Sequence, residues 1–286
     1  MLRSHLVSRR VLRTATTMTL ALGAGLALPT ALAATAGAAE PSATAVVSDN
    51  GRELAYTAAA GQFNNVLVDE SFTDGSKDTI TYVIEDIVPI SAGNGCVHPD
   101  PADRAKVSCT VAALDSQSPY TTMRMDLGDI ADSVAITNST DQAFHTNAFD
   151  LGGGNDRLTH TGSVDGNAVR AGAGDDIITA GVAAMVFGDD GNDTITTSGD
   201  ITEGGAGNDV IQGGPDTQIL RGDDGNDTLR GGDGDDLLYG GRGDDILHGN
   251  SGFDQLWGNT GNDELYGGPD ADTLSGGAGT NIIVQD

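Results

Sequence analysis

Gly204-Gly205-Ala206-Gly207-Asn208-Asp209-Val210-Ile211-Gln212 opens a nine-residue pattern, Gly-Gly-x-Gly-x-Asp-x-aliphatic-x, that runs nine times in unbroken register to Val284. Looser copies precede it. Twelve units align in all, starting at Leu151, Ala171, Gly188, Gly204, Gly213, Gly222, Gly231, Gly240, Gly249, Gly258, Gly267 and Gly276. Their eighth positions are all aliphatic: Leu158, Ile178, Ile195, Ile211, Leu220, Leu229, Leu238, Leu247, Leu256, Leu265, Leu274 and Ile283. Their sixth positions are Asp in ten of the twelve, with Gln218 and Asn281 the exceptions. Position two is Gly in eight units and Asp or Asn in the other four, the residues that best tolerate a left-handed backbone. A fixed period of this kind marks a coil built from one repeated supersecondary unit.

The chemistry of the unit follows from its parts. Its last three residues form a short strand whose period of two sends position eight inward and positions seven and nine outward. Successive units then lie on opposite sides of a flattened coil, and turns eighteen residues apart become neighbours. Calcium takes six to eight hard oxygens, more than one glycine turn and one carboxylate can supply. Two stacked turns supply enough. Each turn buries only about two aliphatic side chains, too little to offset the backbone entropy of eighteen residues. Without cations this half of the chain is expected to stay unfolded, and with them to fold.

Composition agrees with a coil lacking a large conventional core. Aromatics make up 4% of the 286 residues, and glycine fills 33 of the 136 positions after Asp150. The formal charge is −28. Setting aside a leader that holds Arg3, Arg9, Arg10 and Arg13 leaves 10 basic against 42 acidic residues, or −32, which argues against a nucleic-acid partner. Such charge alone suits a disordered acidic segment. The strict period speaks against permanent disorder.

Residues 1–38 read as an export signal. Basic residues to Arg13 precede an apolar run to Leu28, then Pro29 and small residues suited to cleavage after Ala33 or Ala38. Ser8-Arg9-Arg10-Val11-Leu12-Arg13 resembles a bacterial twin-arginine signal. The expected product is secreted and extracellular, with no membrane span in the mature chain. Residues 39–125 read as a small β domain of two to five strands, with strands at Leu54 to Thr57, Val66 to Val68, Thr79 to Ile84 and Val107 to Val111. The only cysteines, Cys96 and Cys109, are expected to form a disulfide in an oxidising compartment. Residues 126–150 hold a degenerate entry turn: Asp126-Leu127-Gly128-Asp129-Ile130-Ala131-Asp132 imitates the first full unit but has Ile130 where glycine belongs, which makes Asp132 a doubtful ligand. The coil proper spans 151–286.

The nonapeptides from Gly204 onward resemble the RTX, or haemolysin-type, calcium-binding repeat family of secreted bacterial proteins. The resemblance covers about half the chain. It implies an all-β protein with a C-terminal parallel β-roll in which position-six aspartates and turn carbonyls of neighbouring coils hold several Ca²⁺ ions. Carried over by position, one row of ligands is Asp156, Asp176, Asp193, Asp209, Asp227, Asp245 and Asp263. The opposite row is Asp236, Asp254 and Asp272. It starts late because Gln218 replaces a ligand and the earlier half-turns are irregular.

No catalytic constellation accompanies the repeats. His-Glu-x-x-His is absent, Gly249-Asn250-Ser251-Gly252-Phe253 lacks the last glycine of a nucleophile elbow, and His145 and His160 stand in no recognisable motif. The reading is a non-catalytic calcium-binding protein. An adhesin or surface-interaction protein is the alternative, and a hydrolase of unrecognised type the next. Position nine places Tyr239 with Trp257 and His248 with Tyr266 one coil apart, so each pair should stack outward. They would either cover the sheet or grip a sugar at a cell surface.

Overall fold

A computed structural model describes residues 42–74, 77–114, 120–142, 145–162 and 166–285. The export segment, 1–38, lies outside the described residues. The described chain is all-β, with no helix among its 25 strands, and the repeat region winds into a parallel β-solenoid of about seven turns.

Two sheets face one another. In the first, Thr273–Ser275, Gln255–Thr260, Leu237–Arg242, Ile219–Asp224, Ile201–Ala206, Met185–Asp190, Ala168–Ala173, His145–Asp150 and Tyr120–Asp126 lie side by side in that order, each parallel to the next. In the second, Ile282–Val284 leads back through Glu264–Tyr266, Ile246–Ser251, Thr228–Asp233, Val210–Gln212, Thr194–Ser198, Ile177–Val182 and Arg157–Thr161 to Ser133–Asn138. Register pairs equivalent positions throughout, as in Leu220↔Leu238 and Leu238↔Leu256. One coil therefore rests on the next with like residues in contact, as a sequence of fixed period requires.

Position eight points inward as its alternation predicts. From Leu158 to Leu265 all ten of these aliphatic side chains are at most 1% exposed. The two final ones depart from expectation: Leu274 is only partly buried and Ile283 is 50% exposed. Ile282–Val284 and Thr273–Ser275 are the edge strands of their sheets, so no further coil covers them. Position two takes the left-handed backbone in eleven of the twelve units, including Asp189, Asp223, Asn250 and Asn259 at φ 70 to 74°. Gly214 is the exception, in the turn that carries Gln218.

The region ahead of the repeats shares both sheets with the coil. Leu54–Thr57 pairs in parallel with Tyr120–Asp126, and Asn65–Phe72 pairs in parallel with Ser133–Asn138. Antiparallel strands then extend each sheet outward: Ala43–Val47 in one, Thr79–Glu85 and Lys106–Ala112 in the other. Eight strands run between Ala43 and Asp126, more than the two to five expected. Those missed include Ala43–Val47 and Tyr120–Asp126. Here a conventional core exists, with Leu54, Tyr56, Ile80, Tyr82, Ile84, Val107, Val111, Met123, Met125 and Phe149 nearly or fully buried. Cys96 and Cys109, opposite each other in register, form the disulfide.

Candidate metal centre

Each repeat turn delivers one aspartate to the edge of the flattened coil. Its carboxylate does two different things with its two oxygens. Oδ1 accepts the backbone N–H of the equivalent aspartate one coil earlier, in an unbroken ladder: Asp156 N–H to Asp176, Asp176 to Asp193, Asp193 to Asp209, Asp209 to Asp227, Asp227 to Asp245 and Asp245 to Asp263, at 2.6 to 3.1 Å. Asp263 N–H ends the ladder on Asn281 Oδ1. The opposite edge repeats it from Gln218 N–H to Asp236, Asp236 to Asp254 and Asp254 to Asp272.

Oδ2 has no such partner. In Asp156, Asp176, Asp193, Asp209, Asp227, Asp236, Asp245, Asp254 and Asp263 this oxygen is buried without a hydrogen bond, although the residues are at most 2% exposed. Asp132, doubtful by sequence, shares both features: its Oδ1 accepts Asn64 N–H and its Oδ2 is orphaned. Asp272 differs from its expected peers, because Gln285 Nε2 donates to its Oδ2 at 3.0 Å. Gln218, where an aspartate is missing, closes its own turn by accepting Gly214 N–H and donating to the Asp216 carbonyl.

Burial without a counter-charge raises these acids. Desolvation lifts Asp176, Asp209, Asp227, Asp236 and Asp245 to about 7 and Asp156 to about 6, with neighbouring carboxylates adding to the effect in most of them. Asp193, Asp254 and Asp263 are raised for the same first reason. A row of buried like charges is costly unless protons or cations sit among them.

The glycine at position one shapes the space beside each orphan. Gly188, Gly204, Gly222, Gly231, Gly240, Gly249, Gly258 and Gly267 all lie so close to the Oδ2 of their own unit's aspartate that a Cβ could not fit between. At several of them a second oxygen enters the same space. A Cβ on Gly222 would lie 2.7 Å from Gly240 O, one on Gly231 2.8 Å from Gly249 O, and one on Gly249 2.6 Å from Gly267 O. A carboxylate oxygen and a carbonyl oxygen thus converge where neither has a hydrogen to share.

Among the described residues no three His, Cys, Asp or Glu side chains gather around one point. Zinc-like chemistry is therefore a poor match, and a hard cation taking carboxylates together with turn carbonyls is a good one. Of the expected ligands, Asp156, Asp176, Asp193, Asp209, Asp227, Asp245 and Asp263 on one edge and Asp236 and Asp254 on the other would each have an orphaned oxygen to offer such a cation.

The aromatic pairs stack as their spacing implies. Tyr239 and Trp257 lie 4.7 Å apart at 6°, and His248 and Tyr266 4.8 Å apart at 12°. Arg221 covers the other side of Tyr239, 5.7 Å from its centroid. His145 sits edge-on to Phe72 and Tyr120.

Two features escaped the sequence reading. Asn147 N–H donates to Asn167 Oδ1 at 3.0 Å, the same backbone-to-side-chain step as in the aspartate ladder, on the edge where register places Ala184 and Asp200 between Asn167 and Gln218. The other is the start of the main ladder, where Asp86 accepts from Tyr56 OH, Asn64 Nδ2 and Asn65 N–H.

Residues 161–183, 196–217, 213–247, 221–256 and 248–283 match the family model of the RTX calcium-binding nonapeptide repeat (4 copies). No curated protein matches the chain.

Proposed function

We propose that this chain, an RTX-type calcium-binding repeat protein, is a secreted and non-catalytic protein whose repeat region folds when it binds several Ca²⁺ ions. The observation that carries the proposal is the row of buried, unpartnered Oδ2 atoms. In a metal-free coil these oxygens must take up protons or repel one another. A bound Ca²⁺ supplies positive charge beside them and stabilises the folded state by mass action. The protein's own part is to hold each carboxylate through the Oδ1 ladder and to keep position one bare, so that a carboxylate and a carbonyl face the same space.

Secretion rests on the leader-like residues 1–38 and on the disulfide, which suits an oxidising compartment. Far-ultraviolet circular dichroism during a calcium titration tests the folding. The strand signal of the repeat region should appear with calcium and be lost in excess chelator, leaving that of the strands ahead of it, and an unchanged spectrum in chelator overturns the proposal.

A second reading, a surface-interaction protein that grips glycans, draws on the Tyr239–Trp257 and His248–Tyr266 pairs. Their rings cover one another, which favours sheet packing as their main role.

A further inference from the structure

The ten orphaned carboxylates do not share one environment. In the seven units of Asp193, Asp209, Asp227, Asp236, Asp245, Asp254 and Asp263, position one is glycine. There Oδ2 lies against the glycine Cα, in space that a Cβ would occupy. In the units of Asp132, Asp156 and Asp176, position one is Leu127, Leu151 and Ala171. These side chains are real and at most 1% exposed. At Gly188, Gly222, Gly231 and Gly249 the place of an added Cβ is where the carboxylate meets the carbonyl of the next coil, and Leu127, Leu151 and Ala171 carry a Cβ at that position of the unit.

The opposite edge of the same coils differs as well. Where later coils carry Asp236 and Asp254, the early ones carry Asn147 and Asn167, buried and joined by the Asn147 N–H to Asn167 Oδ1 bond. Asn147, Asn167 and Ala184 leave no charge to be balanced there, and the register runs on through the exposed Asp200 to Gln218. Gln218, likewise buried, ends this stretch by closing its own turn.

We infer that Leu127, Leu151 and Ala171 exclude calcium from the first three positions, so that the calcium array begins at Asp193 and the coils before it form a metal-independent seed. This rests on the proposed calcium-driven folding and sharpens where it starts. The seed is continuous with the conventional core around Tyr82, Met123, Met125 and Phe149 through both sheets. It presents Ala168–Ala173 and Ile177–Val182 as ready templates for the coils that follow. Nucleation, the costly step of forming a repeat array, is thereby done before any ion arrives.

The test uses the full chain, counting bound calcium by native mass spectrometry and following amide hydrogen exchange in excess chelator. Asp176→Asn should leave the calcium count unchanged, Asp227→Asn should lower it, and Ala171→Gly should raise it by one ion. In chelator, amides of the strands from Ser133–Asn138 to Ile177–Val182 should stay protected while those of 188–284 exchange freely. The inference is overturned if Asp176→Asn lowers the count, if Ala171→Gly leaves it unchanged, or if 133–182 loses protection together with the later coils. A wild-type chain that binds no calcium, or whose later coils stay protected in chelator, instead refutes the calcium-driven folding itself.

Discussion

Replacing Gly222 with alanine separates the role of space at position one from the role of glycine flexibility. Gly222 lacks the positive φ that makes other glycines irreplaceable, so alanine is allowed by the backbone. Its methyl would nevertheless lie 2.6 Å from Asp227 Cγ, 2.7 Å from Gly240 O and closer still to Asp227 Oδ2. Relief needs a carboxylate shift of about 1 Å, more than the 2.3 to 2.6 Å window of calcium–oxygen distances tolerates. One site is then lost. At free calcium a hundredfold above the dissociation constant, that removes about 2.7 kcal/mol of linked stability, and overpacking adds about 1–3 kcal/mol. Spread over roughly six remaining ions, the calcium midpoint of folding should rise about three- to fivefold. Gly225→Ala is the control. At φ +143°, with its Cβ 2.5 Å from Gly207 C, it strains the backbone whether or not calcium is present. The assay is a calcium titration of circular dichroism together with an ion count. A Gly222→Ala chain with the wild-type midpoint and the wild-type number of ions would refute the reasoning.

Acidity should act in opposite directions with and without metal. Burial lifts Asp209, Asp227, Asp236 and Asp245 from an ordinary value of 3.8 to about 7, so the metal-free fold prefers them protonated; their contribution is fully present below about pH 4 and is lost as pH rises through about 7. In chelator, strand signal should therefore grow between pH 8 and pH 5, whereas the calcium midpoint should rise as pH falls, because ions must displace protons; a chelated spectrum flat over that range contradicts this. Cys96→Ser with Cys109→Ser should cost about 3 kcal/mol by the loop-entropy estimate and leave the calcium count unchanged, as read by urea unfolding and mass spectrometry. Trp257→Ala should lower stability by about 0.5–1.5 kcal/mol beyond its lost area without altering glycan-array binding; lost glycan binding would favour the surface-interaction reading.

Much of the architecture was legible because it is local and repeated. Position eight is aliphatic in every unit, position two tolerates a left-handed backbone, and the spacing of Asp209, Asp227, Asp245 and Asp263 fixes which turns become neighbours. Each of these depends on a residue's place in its own nonapeptide. The early coils were harder to read, since their steps of 20, 17 and 16 residues break the period. Asn147 and Asn167 belong to no repeat, and nothing in their local sequence marks them as the continuation of a ligand row.

What the sequence by itself determined is the coil: its period, its inward column, its left-handed turns and the hard, oxygen-rich chemistry of its edges. Tertiary structure alone decided how those carboxylates differ. An aspartate at position six is the same residue in all ten units, but the Oδ2 of Asp227 lies against bare Gly222 with a carbonyl of the next coil close by, whereas that of Asp272 takes an amide donor from Gln285. Whether an oxygen is left to a cation depends on what stacks against it across the coil, and the stacking also joined the region ahead of the repeats to both sheets. The contacts made across the coil, such as Gly240 O beside Gly222 and Gln285 on Asp272, join residues thirteen or more apart in the chain, where no nonapeptide records them.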